Sequence, residues 1–131
     1  MSEKTKFYIH YDPKTDYLEI IDKKCEIIAE DIGNGLFELR TARGRIAGHG
    51  ALDASDRLHK LEFLDPTLRL AVQIKIARLK RGFTQTQMAK MMGIGLLPYQ
   101  RLESGTNNPT LKTILKVREV FPEISIDKLA S

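Results

Sequence analysis

The stretch Phe83–Gly105, FTQTQMAKMMGIGLLPYQRLESG, leaves this chain fewer choices than any other. Thr84 and Gln87 stand three apart at the head of an apolar-periodic run. At that spacing each side chain can satisfy an orphan backbone N–H at the other's position, the arrangement called a capping box. Met88, Ala89, Met91 and Met92 continue the run, and Gly93 breaks it where a short helix needs a left-handed residue. A second short helix is expected from Leu96 to about Ser104, closed by Gly105. Two short helices joined by a glycine-containing turn are the outline of a helix-turn-helix.

The flanking sequence supplies more helices. Asp65-Pro66 is a helix start, with Asp as N-cap and Pro at the first helical position, and Gly82 stops that helix after Arg81. Leu70, Ile74 and Ala77 form one apolar stripe on it; Val72, Ile76 and Leu79 form another on nearly the opposite face. Both stripes are expected to be buried, one in the helical bundle and one against the first half of the chain or a second subunit. After the polar loop Thr106–Pro109, Thr110 caps a helix from Leu111 to about Phe121, with Leu111, Ile114, Leu115 and Val117 apolar. Pro122 ends it, and Ser125 can cap a last short helix over Ile126–Leu129. Five helices over residues 65–131 predict a small all-α domain.

Residues 1–64 read differently. Lys6–Asp12, Tyr17–Ile21, Cys25–Ile32 and Leu36–Thr41 are expected strands, and Arg45–Ala47 the start of another. Pro13–Asp16 and Gly33-Asn34-Gly35 are turns between them. Gly48, Gly50 and Ala51–Leu61 suggest a strand end running into a short helix. The whole is therefore an α+β chain: a small antiparallel sheet domain over 1–64, then a five-helix domain over 65–131.

Charge divides at the same place. Residues 1–65 carry 10 Lys and Arg against 13 Asp and Glu, while residues 66–131 carry 11 against 4. The modest overall charge of +4 hides an acidic half joined to a basic one, and the basic half suits a polyanion. No apolar run approaches the roughly 18 residues of a membrane span, so no membrane partner is expected. The N-terminal MSEKTKFY lacks the apolar core of a signal peptide, which predicts a cytoplasmic protein. Cys25, the single cysteine, excludes an intramolecular disulfide and a Cys-rich zinc site, and reads as a small strand residue.

Nothing in the sequence assembles a catalytic site. His10, His49 and His59 lie near Asp12, Asp53 and Asp56, but no spacing forces them to converge. No H-x-x-x-H, nucleophile elbow or phosphate-cradling glycine loop is present. No enzyme, cofactor or metal is expected.

Two resemblances follow from these residues. YDPKTDYLEI (Tyr11–Ile20) and RIAGHGALDASDRL (Arg45–Leu58) resemble a family of small β-rich bacterial domains of unknown function. R-x-x-x-G-F-T-Q-x-x-M-A-x-x-x-G-I (Arg78–Ile94), R-L-E-S-G (Arg101–Gly105) and N-P-T-L-x-T-I-L-K-V (Asn108–Val117) resemble the Cro/C1-type (Xre family) helix-turn-helix of repressors and bacterial regulators. The second resemblance implies a partner, double-stranded DNA, and a recognition helix at Leu96–Glu103 entering the major groove. Thr84 and Gln85 would then meet a phosphate at a helix N-terminus. Gln100 would read adenine or touch the backbone, Arg101 would read guanine or a phosphate, and Thr106, Asn107 and Asn108 would form a phosphate-contacting loop. Arg78 and Glu103 match the family's structural ion pair.

One stretch departs from that family. Where polar residues usually open the recognition helix, this chain has Gly95-Leu96-Leu97-Pro98-Tyr99. Leu96 and Leu97 cannot hydrogen-bond a base edge; they either pack on thymine methyl groups or serve a protein contact. The expected function is a sequence-preferring, repressor-like DNA-binding regulator, acting as a homodimer on a two-fold-symmetric operator. The layout is similar to antitoxins that repress their own operon while holding a cognate toxin. The alternative is a protein–protein or ligand-sensing module whose helix-turn-helix no longer reads DNA.

Overall fold

Alternation of apolar and polar side chains places opposite faces of a pleated strand in different surroundings, and Tyr17–Ile21 follows it, with Leu18 and Ile20 buried between half-exposed neighbours. The computed structural model describes residues 7–22, 25–57, 65–106 and 109–124. The chain divides into two compact units, residues 1–57 and 58–131. In the first, β1 (Tyr8–Asp12), β2 (Tyr17–Ile21), β3 (Ile28–Gly33), β4 (Leu36–Arg40) and β5 (Ile46–Ala51) form one sheet in the order β1-β2-β5-β4-β3. Every neighbouring pair is antiparallel. Register sets Leu18 between Tyr11 and Ala51, and all three are buried.

Two strands differ from expectation. β3 begins at Ile28 rather than Cys25, because Ile28 pairs with Arg40, the last residue of β4. Beyond it β4 offers no further residue to pair with, so Cys25 lies outside the strand. β5 runs unbroken from Ile46 through Gly48 and Gly50 to Ala51, joining the strand start expected at Arg45–Ala47 to the strand end expected at the two glycines. Glycine is unfavourable inside a strand, yet here close approach demands it. A Cβ on Gly48 would sit 1.8 Å from the Ile20 carbonyl oxygen of β2. At Gly50 the missing side chain leaves room for the Tyr17 ring, which meets Phe37 edge-on with centroids 6.0 Å apart.

Asp16 fastens the β1–β2 turn to the helix that follows β5. It adopts a left-handed backbone (φ 56°), accepts from the Tyr11 hydroxyl, and accepts from Ser55 Oγ at 2.7 Å. Its carbonyl also accepts from the Ala54 N–H at 3.0 Å. That helix, α1 (Ala54–Arg57), is short; residues 58–61 of the expected stretch, His59 included, lie outside the described residues.

The second unit contains α2 (Pro66–Lys80), α3 (Gln85–Met92), α4 (Leu96–Ser104) and α5 (Leu111–Val120). Asp65 caps α2 by accepting from the Leu68 N–H at 2.8 Å, and Pro66 opens it as expected. Leu70 and Ile74 of α2 join Met88, Tyr99, Val117 and Phe121 in the core of this unit. Val72 and Ile76, the opposite stripe, are buried as well. On α5 only part of the apolar set turns inward: Val117 is buried, while Leu111 and Leu115 are exposed. The last helix expected, Ile126–Leu129, lies outside the described residues.

Candidate nucleic-acid interface

α3 starts where its cap dictates. Thr84 Oγ1 accepts from the Gln87 N–H at 3.1 Å, and Gln87 Oε1 accepts from the Thr84 N–H at 2.8 Å. The reciprocal pair uses two donors that the first turn would otherwise leave open. Gly93 then takes the left-handed conformation (φ 69°, ψ 33°), which a side chain would oppose, and turns the chain toward Gly95 and α4.

α4 has two unlike sides. Tyr99, Leu102 and Glu103 are buried on one, while Leu96, Leu97, Gln100 and Arg101 are exposed on the other. Leu97 and Arg101 are one helical turn apart, as are Leu96 and Gln100. The exposed side therefore presents two leucines at its start and two polar side chains behind them.

The buried side is held by a charged centre. Arg78 donates to Glu103 twice, Nε to Oε2 at 2.9 Å and Nη2 to Oε1 at 2.8 Å, and its Nη1 donates to the Phe83 carbonyl at 2.9 Å. The Tyr99 hydroxyl donates to Glu103 at 2.6 Å. Burial alone would push the Glu103 carboxyl up, but the Arg78 and Tyr99 donors outweigh it and hold the group below the usual carboxylate range. Burial, with the Glu103 carboxylate beside it, pushes the Tyr99 phenol up. Arg78 and Glu103 thus stand where expected, tying α2 to the end of α4. Tyr99 is a full member of this centre that sequence reasoning placed only in the apolar start of α4. Its signal was the i, i+4 spacing to Glu103.

The centre reaches the surface through one glutamine. Gln85 Nε2 donates to Glu103 Oε1 at 3.3 Å, and Gln85 Oε1 accepts from Gln100 Nε2 at 3.1 Å. Gln85 opens α3 and Gln100 lies on the exposed side of α4, so this chain of bonds brings two of the expected site residues together. Thr84 is exposed, with its oxygen engaged in the cap. Thr106 turns back toward α4, its hydroxyl 3.1 Å from Ser104 Oγ and 3.4 Å from the Arg101 carbonyl. Asn107 and Asn108 lie outside the described residues.

His10 and His49 lie on the sheet, on β1 and β5. Among the described residues no group of three or more His, Cys, Asp or Glu side chains is placed to hold a metal ion. No described helix is long and apolar enough to cross a membrane.

Comparison with known proteins agrees with this geometry. Residues 74–129 match the helix-turn-helix family model. The cryptic phage CTXphi transcriptional repressor RstR of Vibrio cholerae serotype O1 is 46% identical over 46 residues, 35% of this chain and 40% of the relative. The chain thus spans well under half the length of that curated relative. No solved structure matches the chain. Over residues 74–129, then, this chain carries a helix-turn-helix domain of the Cro/C1 type.

Proposed function

We propose that this chain is a DNA-binding transcriptional regulator of repressor type that reads a preferred duplex sequence through α4. The observation that carries the proposal is the bonded pair Gln85–Gln100, which joins the head of α3 to the exposed side of α4. Gln85 keeps one amide hydrogen beyond its bond to Glu103, beside the open N–H groups of the α3 N-terminus, and that edge suits a phosphate. Thr84 keeps its hydroxyl hydrogen for the same group. Gln100 retains its Oε1 and one amide hydrogen, the pair of contacts that adenine N6 and N7 require. Arg101 offers paired donors to guanine or to a phosphate, Leu96 and Leu97 pack on thymine methyl groups, and Thr106, Asn107 and Asn108 approach the backbone. The kinship to a protein named as a transcriptional repressor and the basic second half support the same reading.

Titration against a fluorescent duplex from the chain's own upstream region, at two salt concentrations, tests it. Salt-weakened binding that exceeds binding to a scrambled duplex is expected. Arg101→Ala should cost about 1–3 kcal/mol at the preferred site, and Gln85→Ala should weaken binding to both duplexes. Equal weak binding to any duplex, unchanged by Arg101→Ala, would overturn base reading.

In the finer version the chain is a homodimer on a two-fold operator, and residues 1–64 dimerise or hold a partner. That partner would be the toxin of a toxin–antitoxin pair whose operon the chain represses. The acidic first half suits a basic protein, since complementary charge steers association. Co-expression with the neighbouring genes tests this, a stable complex with a small basic protein supporting it and a chain that purifies alone opposing it. A second reading rests on Leu96 and Leu97, 42% and 56% exposed. An apolar start to α4 that binds a protein instead of DNA would appear as duplex-independent association lost in Leu97→Ser.

A further inference from the structure

Among the described residues β3 is the last strand on its side of the sheet, paired with β4 along one edge only. All six of its residues are exposed, including Ile28 at 67% and Ile32 at 50%. An edge strand of this kind presents every second residue's N–H and C=O to a further strand. Proteins usually guard such an edge with lysine, proline, brevity or a distorting bulge. β3 contains neither lysine nor proline, and its one irregularity falls between Asp31 and Gly33, which leaves Ile28–Asp31 regular.

What guards β3 is charge of a single sign. Glu30 and Asp31 lie in the strand and Glu26 lies just before it, all exposed. Arg40 of β4 holds Glu30 at 3.0 Å from the inner side, and Asp31 accepts the Gly33 N–H at 2.7 Å. A second copy that adds its own β3 to this edge by two-fold symmetry pairs antiparallel. Each register centred on Glu30, on Asp31 or between them sets carboxylate directly opposite carboxylate, which is destabilising. The same carboxylates favour a strand bearing lysine or arginine. Within the regular stretch Ile28 and Glu30 share one face, so an added strand meets an apolar and an acidic position in turn.

We propose that the free edge of β3 docks an extended segment of a partner protein by strand addition, and that this segment carries a cationic side chain next to an apolar one on the same face. The inference rests on the part of the proposed function that gives the first unit a protein partner, and not on DNA reading. It supplies the surface and chemistry of that contact: backbone ladder bonds for affinity, Glu30 and Ile28 for selection.

Synthetic peptides test it with the full-length protein. A labelled peptide alternating lysine and valine is titrated by anisotropy, beside its glutamate–valine counterpart and a version N-methylated at alternate amides. Backbone amides are followed by NMR. Binding of the lysine peptide alone is expected, with the amides of residues 28–33 shifting and gaining exchange protection. Ile28→Lys, and separately Glu30→Gln, should weaken it severalfold while leaving the fold and duplex binding intact. Binding retained by the N-methylated peptide, binding mapped elsewhere, or no binding would overturn the β3 edge. So would a concentration-dependent dimer whose contacts map to β3. None of these results touches the co-expression experiment, on which the existence of a partner is judged separately.

Discussion

At the scale of single residues, Glu103 is the junction through which the interior of the second unit meets its surface. It accepts from Arg78, Tyr99 and Gln85 at once. Removing one member of a buried ion pair leaves the other charge without compensation, so Glu103→Ala should cost about 3–5 kcal/mol in urea denaturation. Tyr99→Phe leaves the ion pair intact and should cost only about 1.5–3 kcal/mol, the usual worth of a bond to a charged group. The sign with pH follows from the lowered carboxyl. Because Glu103 protonates in the unfolded chain first, its contribution is complete above the ordinary value of 4.5 and is lost as pH falls below it. Acid titration of stability should therefore show a limb that Glu103→Gln flattens. The Arg78–Glu103 pair was legible in the sequence through its resemblance to a known pattern. Tyr99 was not, because Leu96, Leu97 and Tyr99 read as one apolar cluster. Beyond the i, i+4 spacing of Tyr99 to Glu103, it is packing that separates them: Tyr99 points into the core, while the leucines stand at a helix start exposed to solvent.

At the scale of elements, punctuation was the most readable feature. Asp65, Thr84, Gly93 and Thr110 cap or stop helices where their chemistry predicts. Thr84→Ala should lower stability by about 1 kcal/mol, measured by thermal unfolding. Strand limits were harder to read, because they depend on partners distant in sequence. The start of β3 is set by the end of β4, and β5 tolerates two glycines because β2 and the Tyr17 ring lie against them. Gly48→Ala should accordingly disturb β2 and β5 far more than strand propensity suggests. Loss of exchange protection at the amides of both strands would report it; unchanged protection would refute the close approach.

At the scale of the whole molecule, the uneven sharing of charge between the halves was open to counting, whereas the order of strands in the sheet was not. Antiparallel strands can be connected in several ways at equal local propensity, and β5 lies between β2 and β4 only through long-range pairing. The charge pattern makes a prediction of its own. Affinity for duplex DNA should fall with salt at a slope of about −0.9 per neutralised phosphate. Arg101→Ala should leave that slope unchanged if Arg101 reads a base, and lower its magnitude by about 0.9 if it neutralises a phosphate. The division of α4 into a held side and a free side also bears on how such a domain changes over time. Tyr99, Leu102 and Glu103 anchor the helix, while Leu96, Leu97 and Arg101 contribute little to keeping it in place. Lineages can thus exchange the outward letters without passing through an unfolded ancestor, and a library randomised at those letters should yield mostly folded proteins.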